Sequence, residues 1–161
     1  AMNSSWFKAN LIEKLDLSRL FQENMMLLSG GELQKINIAG ALAKEADMIL
    51  MDEPSAFIDV EDRLKVAEII KDFVIKKEVC AIIVYHDIQF VDYLADSLLV
   101  FEGVPGRKGN VFGPFEKKDG MNRILKNLDI TYRRDNITNR ASINKEGSQL
   151  DQAQRAKGEY Y

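Results

Sequence analysis

The sequence predicts an α/β fold in which helices flank a parallel sheet. Residues 46–51 form a short apolar run, and residues 79–85 form a second run rich in β-branched side chains, which is typical of a strand buried on both faces. Between them, residues 60–76 carry apolar side chains at helical spacing. A helix over 87–93 and a third strand over 97–101 complete an alternating order, which favours parallel strands joined by right-handed crossovers.

The composition excludes several functional classes. A chain of 161 residues can bury the core of one domain, and its net charge of −3 gives no general reason to expect nucleic-acid binding or direct DNA contact. The single cysteine, Cys80, can form neither an internal disulfide nor a cysteine-ligated cluster. No apolar run has the length of a membrane span, and no charged-then-apolar leader is present. We therefore expect a cytoplasmic protein without a membrane partner.

The segment ahead of the first strand is predicted to be helical. Residues 10–21 show the pattern of short amphipathic helices, with apolar side chains at Leu11, Ile12, Leu15, Leu17, Leu20 and Phe21. Ser29 is predicted to be the N-cap of a longer helix, because Glu32 follows at the spacing of a capping box. The predicted packing face of that helix carries Leu33, Ile36, Gly40 and Ala43.

The character of the chain changes after Phe101. Glycine and proline are frequent over residues 103–114, which indicates turns, and residues 121–128 are predicted to form a helix. From Thr131 onward large apolar side chains become rare, so the tail is predicted to be poorly ordered. These observations divide the chain into an α/β part, 1–102, and a turn-rich segment with a tail, 103–161.

The start of the Ser29 helix is a candidate phosphate site. Gly30, Gly31 and Glu32 present free backbone N–H groups at the positive end of the helix dipole. The two glycines allow a phosphate to approach the backbone without a Cβ in the way. The alternative is that Ser29 and Glu32 only cap the helix.

Asp52 and Glu53 directly follow the first apolar run. Two adjacent carboxylates at the end of a buried strand are costly unless a positive group is present. Because side chains alternate along a strand, the two carboxylates are expected to have different roles. Asp52 would hold Mg²⁺ through water, and Glu53 would be the general base for the water that attacks a γ-phosphate. The alternative is a surface turn, which Pro54 favours.

His86 and Asp59 complete the candidate site. His86 is the single histidine and follows the second apolar run, at the strand end where open α/β sheets bind ligands. It would donate a hydrogen bond to a phosphate oxygen and orient the water, and a structural role is the alternative. Asp59 either caps the helix over 60–76 or reaches across a dimer interface. No Gly-x-x-x-x-Gly-Lys-Ser/Thr run, the P-loop that holds β- and γ-phosphates, is present in the chain.

The order of these motifs resembles that of the ATP-binding cassette (ABC) ATPases. The resemblance narrows beyond Asp87, where the chain is similar to one family, the ribosome-recycling twin-cassette iron–sulfur ATPases, also called RNase L inhibitors. The runs that carry the resemblance are residues 28–34 (LSGGELQ), 52–59 (DEPSAFID), 101–107 (FEGVPGR), 120–123 (GMNR), 131–135 (TYRRD), 144–148 (NKEGS) and 157–161 (KGEYY).

This resemblance implies a partial P-loop NTPase fold whose P-loop half is missing from the chain. Residues 1–102 would be the C-terminal half of the second cassette, with its helical subdomain, signature, Walker B strand, D-loop and H-loop, and residues 103–161 would be hinge and tail. The intact protein would use ATP and Mg²⁺ to split ribosomal subunits after termination. Its partners would be its own other cassette, ribosomal subunits and termination factors, and its iron–sulfur clusters would lie in an N-terminal region that this chain lacks.

The resemblance also implies roles for individual residues. Ser29 and Gly31 would contact ATP held by the first cassette, whereas Asp52, Glu53 and His86 would serve ATP held by the P-loop of their own cassette. We therefore expect the chain alone not to hydrolyse ATP. The alternatives are a nucleotide-binding subunit of a membrane transporter, or a non-catalytic interaction module in which the same residues are structural.

Overall fold

The computed structural model describes residues 5–135 and 141–161. The chain divides into two compact units, Ala1–Leu94 and Ala95–Tyr161, here called the N-terminal unit and the C-terminal unit. The division lies ahead of the predicted boundary between residues 102 and 103, because the strand that contains residue 102 pairs within the C-terminal unit.

The N-terminal unit begins with short helical turns, as the amphipathic pattern predicts. Helix α1 (Ser5–Phe7) runs into a π-helical turn (Lys8–Glu13), and two 3₁₀ turns follow (Ser18–Gln22 and Met25–Leu27). Of the six predicted apolar positions, Leu11, Leu15, Leu17 and Leu20 are buried, Ile12 is half-buried and Phe21 is exposed. Next come α2 (Gly30–Leu42), β1 (Met48–Asp52), α3 (Val60–Lys77), β2 (Cys80–Val84) and α4 (Ile88–Leu94).

The predicted parallel pairing is confirmed for the first two strands. β1 and β2 pair in parallel, with Met48 opposite Cys80 and Asp52 opposite Val84. Helix α3 is the crossover, and it buries Val66, Ile69, Ile70 and Phe73 as its helical pattern predicts. The prediction that the third strand joins this sheet is wrong. β3 (Ser97–Val104) pairs antiparallel with β4 (Lys108–Glu116), because a hairpin partner follows it directly in the chain.

The prediction that the 79–85 strand is buried on both faces is also wrong. Ile49 and Met51 of β1 are buried, whereas Leu50 and Val84 are 71% and 57% exposed. Within the described residues, one face of this two-stranded sheet therefore packs on the core and the other is open. An apolar run shows that both faces of a strand can be buried, but it does not determine whether another element packs on the second face.

Helix α2 packs through a different face from the predicted one. Ile38 and Leu42 are buried, whereas Leu33 and Ile36 are half-buried and Gly40 is exposed. Small or apolar side chains occur all around this helix, so their spacing does not select one face. The packing partners of the helix decide which face is buried.

The C-terminal unit begins with the β3–β4 hairpin. Helix α5 (Lys117–Asn127) packs on this hairpin, and a Cβ at Gly120 would lie 2.7 Å from the Leu98 Cβ, so the helix approaches the strand closely. Two short antiparallel strands, β5 (Tyr132–Arg134) and β6 (Ala141–Ile143), and helix α6 (Gln149–Lys157) follow.

The prediction of a poorly ordered tail is wrong for the described residues from Thr131 onward; residues 136–140 lie outside them. The buried Thr131 hydroxyl donates to Asp151 Oδ1 at 2.6 Å and accepts from Asn144 Nδ2 at 2.9 Å. Arg155 Nε donates to Asp151 Oδ1 at 2.9 Å, and Tyr132 N donates to the Tyr160 carbonyl at 2.8 Å. Polar side chains that satisfy one another order a segment in which large apolar residues are rare.

Candidate nucleotide site

The start of α2 forms the predicted capping box. Ser29 has extended backbone angles (φ −66°, ψ 160°), and its Oγ accepts a hydrogen bond from Glu32 N at 3.3 Å. In return, the Glu32 Oε2 atom accepts from Ser29 N at 2.9 Å and from the Ser29 hydroxyl at 2.8 Å. The prediction that Glu32 presents a free backbone N–H is therefore wrong, because the Ser29 hydroxyl already accepts from it.

A third residue, which sequence reasoning missed, completes this arrangement. Arg19 Nη1 lies 2.8 Å from Glu32 Oε1, and Arg19 Nε lies 2.8 Å from Asp16 Oδ2. Hydrogen bonds from the Ser29 backbone N–H and hydroxyl, together with Arg19, lower the pKa of Glu32 to about 2. The Glu32 side chain is thus a carboxylate at neutral pH, with Arg19 as its counter-charge.

Gly30 and Gly31 have a packing role that the phosphate argument did not include. A Cβ at Gly31 would lie 2.8 Å from the Phe57 carbonyl oxygen, and a Cβ at Gly30 would lie 3.5 Å from the Phe57 Cβ. The loop after β1 therefore lies directly against the start of α2, and Gln34 Nε2 adds a hydrogen bond of 3.0 Å to the Pro54 carbonyl. Phe57 adopts a positive φ of 63° and leaves its ring 81% exposed.

Glu53 and His86 are brought together at the ends of the paired strands. Asp52 closes β1 opposite Val84, and Glu53 N donates to the Val84 carbonyl at 3.0 Å. This pairing places Glu53 Oε1 2.6 Å from His86 Nδ1. The two carboxylates do not require a positive partner because of burial, since Asp52 is exposed and the Glu53 side chain is 44% exposed.

An aromatic contact supports the histidine from behind. The Tyr85 ring stacks on Phe90 with centroids 4.1 Å apart and on His86 with centroids 6.0 Å apart. Phe90 is buried in α4, so it anchors the Tyr85 ring, and burial raises the pKa of the Tyr85 hydroxyl. Tyr85 directly precedes His86 in the chain, but the sequence does not show that its ring is stacked on Phe90 of α4.

Asp59 occupies the N-cap position of α3, but its side chain makes no capping hydrogen bond. Its backbone carbonyl accepts from Asp62 N and Arg63 N, both at 3.0 Å, and its side chain is exposed. The loop is held from the other side by Arg63, whose Nε donates to the Ile58 carbonyl at 2.8 Å. The Asp59 carboxylate is therefore not required for capping.

The carboxylates fit Mg²⁺ only as part of a nucleotide complex. The described residues contain no group of three or more histidine, cysteine, aspartate or glutamate side chains that could hold a metal ion. Mg²⁺ is usually bound by one or two carboxylates together with water and substrate phosphates. The exposed Asp52 at the end of β1 suits that arrangement.

Across the described ranges, no helix is long and apolar enough to span a membrane.

Comparison with known proteins places this fold among ABC domains. The family model for ABC transporters matches residues 4–56. An uncharacterized ABC transporter ATP-binding protein of Methanocaldococcus jannaschii, MJ0719, is 47% identical over 99% of this chain and 27% of the relative. Translation initiation factor RLI1 of Saccharomyces cerevisiae is 39% identical over 96% of this chain and 26% of the relative.

Solved structures agree with the curated relatives. An RNase-L inhibitor and an archaeal ribosome recycling factor (aABCE1) in complex with ribosomal stalk protein aP1 each match with a TM-score of 0.94 and 46% identity, over 99% of this chain and 31% of the matched chain. The parallel strands and these matches define the class: the chain belongs to the ABC ATPases. Within that class it belongs to the RNase L inhibitor family, which confirms the resemblance. It spans about a quarter of the length of the curated relatives it matches.

Proposed function

We propose that this chain contributes part of an ATP-hydrolysing site and one phosphate-binding helix start to a longer ABC ATPase. The observation that carries the proposal is the 2.6 Å contact between Glu53 and His86 at the ends of two parallel strands. It pairs a candidate general base with an imidazole at the edge where open α/β sheets bind ligands.

Glu53 is the general base in this proposal. Its Oε1 atom contacts His86 in the nucleotide-free structure, and its carboxylate accepts the proton as a water attacks the γ-phosphate. The partial exposure of the Glu53 side chain allows that water to reach it. Asp52 would hold Mg²⁺ through water, and the ion would supply positive charge to the phosphate oxygens when bound.

His86 acts on both the base and the phosphate. Because the Glu53 carboxylate can only accept, His86 Nδ1 carries the hydrogen in their contact. A neutral imidazole has one N–H donor, so it serves either Glu53 or a phosphate oxygen. In the nucleotide-free state the His86 N–H donates to Glu53. When ATP binds, the same N–H donates to a γ-phosphate oxygen instead, so that Glu53 is free to accept the proton of water.

The opposite nucleotide would be contacted by the start of α2. Ser29, Gly30, Gly31 and Glu32 would meet ATP held by the first cassette, with Asp59 reaching across the same interface. Two features support this contact across the interface. The Asp59 side chain makes no capping hydrogen bond, and the loop that carries Asp59 packs against Gly30 and Gly31. Contact across an interface would couple ATP binding to closure of the two cassettes.

The cellular function we propose is ribosomal subunit splitting in the cytoplasm. The names of the relatives support it: RLI1 is called a translation initiation factor, and one matched structure is a ribosome recycling factor bound to a stalk protein. Ribosomal subunits and termination factors would be the partners.

Residues 1–102 would serve as the C-terminal half of the second cassette, and residues 103–161 would serve as hinge and tail. Iron–sulfur clusters would be confined to the N-terminal region of the intact protein. A transporter subunit is not favoured, because the relatives whose names state a specific role are a translation initiation factor and a ribosome recycling factor.

The proposal is tested by Glu53→Gln in the intact protein. We expect kcat for ATP hydrolysis to fall by about 100-fold or more, with ATP binding retained, because the amide keeps the shape and loses the base. Glu68→Gln, the same chemical change at an exposed position of α3, is the matched control and should leave kcat unchanged. Unchanged turnover in Glu53→Gln would overturn the assigned base.

The chain alone provides a second test. Without a P-loop it should show no ATP turnover above a buffer blank. Robust turnover by the purified chain that Glu53→Gln abolishes would contradict the need for a P-loop.

In the intact protein, Ser29→Arg should block cassette closure while ATP binding at the first P-loop persists. Parallel loss of both would contradict a contact across the interface.

A further inference from the structure

We propose that Arg19 is a positioning residue of the phosphate-binding helix start: it neutralises Glu32 and takes over that carboxylate when a nucleotide phosphate replaces it at Ser29. This inference rests on the proposed function of Ser29. It adds a residue from outside the motif, ten positions earlier in the chain, to the ATP-dependent closure step.

The geometry gives Glu32 two sets of partners, one for each carboxylate oxygen. Oε2 accepts from the backbone N–H and the hydroxyl of Ser29, at 2.9 and 2.8 Å. The other carboxylate oxygen, Oε1, lies 2.8 Å from Arg19 Nη1. The carboxylate thus engages the hydroxyl of Ser29, the residue proposed to contact the phosphate, and Arg19 holds its far oxygen.

Arg19 is held in place by its own segment. Leu17 and Leu20, on either side of it, are buried, so the 3₁₀ turn that carries Arg19 is anchored to the core. Asp16, which adopts a positive φ of 52°, accepts from Arg19 Nε at 2.8 Å and orients the guanidinium. Two of the fixed donors of Arg19 therefore point to two carboxylates.

This arrangement creates an exchange when a phosphate arrives. A phosphate that accepts from Ser29 displaces Glu32 Oε2, and the displaced carboxylate needs another donor and a counter-charge. Arg19 already contacts the same side chain and can supply both. Without Arg19, an uncompensated negative charge would stand beside the incoming phosphate and repel it.

The test is ATP-dependent cassette closure in the intact protein, followed by a fluorophore pair with one label on each cassette. We expect Arg19→Ala to raise the ATP concentration for half-maximal closure by about twofold to fivefold, the scale of a solvent-exposed ion pair. Arg19→Lys, which keeps the charge, should recover most of this loss. Lys65→Ala, which removes an exposed lysine paired to Asp62 at 2.7 Å, is the control and should not change closure.

The decisive variant is the double substitution Arg19→Ala with Glu32→Gln. Glutamine removes the charge that Arg19 neutralises, so the double variant should close at the wild-type ATP concentration. A merely structural role for Arg19, exerted through Asp16, would not be rescued by this change at Glu32. Failure of the rescue, or wild-type closure in Arg19→Ala alone, overturns the inference.

The inference and the proposed function fail in different ways. If Ser29→Arg closes normally with ATP, the contact across the interface is refuted and the role of Arg19 falls with it. If Ser29→Arg blocks closure while Arg19→Ala has no effect, only the role of Arg19 is refuted. Circular-dichroism melting of each variant shows whether it is folded; loss of an exposed ion pair is expected to leave the melting temperature nearly unchanged.

Discussion

The end of the C-terminal unit is stabilised by different chemistry from the core of the N-terminal unit. The N-terminal unit has a continuous cluster of buried apolar side chains that extends from Phe7 to Phe73. The end of the C-terminal unit is instead organised by buried polar side chains, with Thr131, Asn144 and Asp151 at its centre. Apolar periodicity therefore predicts the first unit well, whereas the second depends on pairings that periodicity does not report.

The largest expected effect comes from the apolar core. Ile69 is fully buried on α3, so Ile69→Ala should lower the free energy of unfolding of the N-terminal unit by about 2–5 kcal/mol. The fluorescence of Trp6, the single tryptophan, reports this unit because its ring lies 5.8 Å from Phe73. Ile75→Ala, at an exposed position of the same helix, is the control. A change within about 0.5 kcal/mol for Ile69→Ala would show that this cluster is not the core.

The polar cluster should respond to a nearly isosteric change. Thr131→Val keeps the shape but removes the hydroxyl that joins Asp151 to Asn144, so we expect a loss of about 1–3 kcal/mol, as buried polar groups lose their partner. Hydrogen exchange of β5 and α6 measures the effect in this unit alone. Thr131→Ser, which retains the hydroxyl, should keep most of the protection. Equal protection in wild type and Thr131→Val would mean that the hydrogen bonds do not order the segment.

The smallest effect, and the sharpest contrast, is the response to acid. A hydrogen bond from Thr131 and another from the Gly147 backbone N–H lower the pKa of Asp151 below its usual value of 3.8. A lowered folded-state pKa contributes stability above the unfolded-state value and loses it as the pH falls through the folded-state value. Hydrogen exchange of α6 should therefore accelerate, relative to intrinsic exchange, below about pH 4, and less so in Thr131→Val. Identical pH profiles in the two proteins would refute this assignment.

Much of the N-terminal unit was accessible to sequence reasoning. The capping box at Ser29 and the α3 helix appear where they were predicted, because both depend on residues a few positions apart. The buried face of α2 and the partner of β3 were not predicted correctly. A helix with small or apolar side chains all around it has no clearly preferred face, and a strand pattern does not state which neighbour the strand will pair with.

The candidate site divides along the same line. Glu53 and His86 were identified by their positions after two apolar runs, and the structure brings them into contact. Arg19 and Tyr85 were not identified as parts of the site. Arg19 stands in no motif, and its place depends on its contact with Glu32 in another segment. Tyr85 directly precedes His86, but the stacking of its ring on Phe90 is a tertiary contact.

Residue identity and spacing were enough to predict the local features of this protein: the capped start of α2, the crossover helix and the order of the motifs. These depend on interactions within one or two helical turns, which residue identity and spacing encode directly. Three contacts became visible in the fold alone: Glu53 with His86, Arg19 with Glu32, and the polar cluster that orders the tail. Each of these contacts joins separate elements, so it depends on strand register and on helix packing, which no local pattern contains.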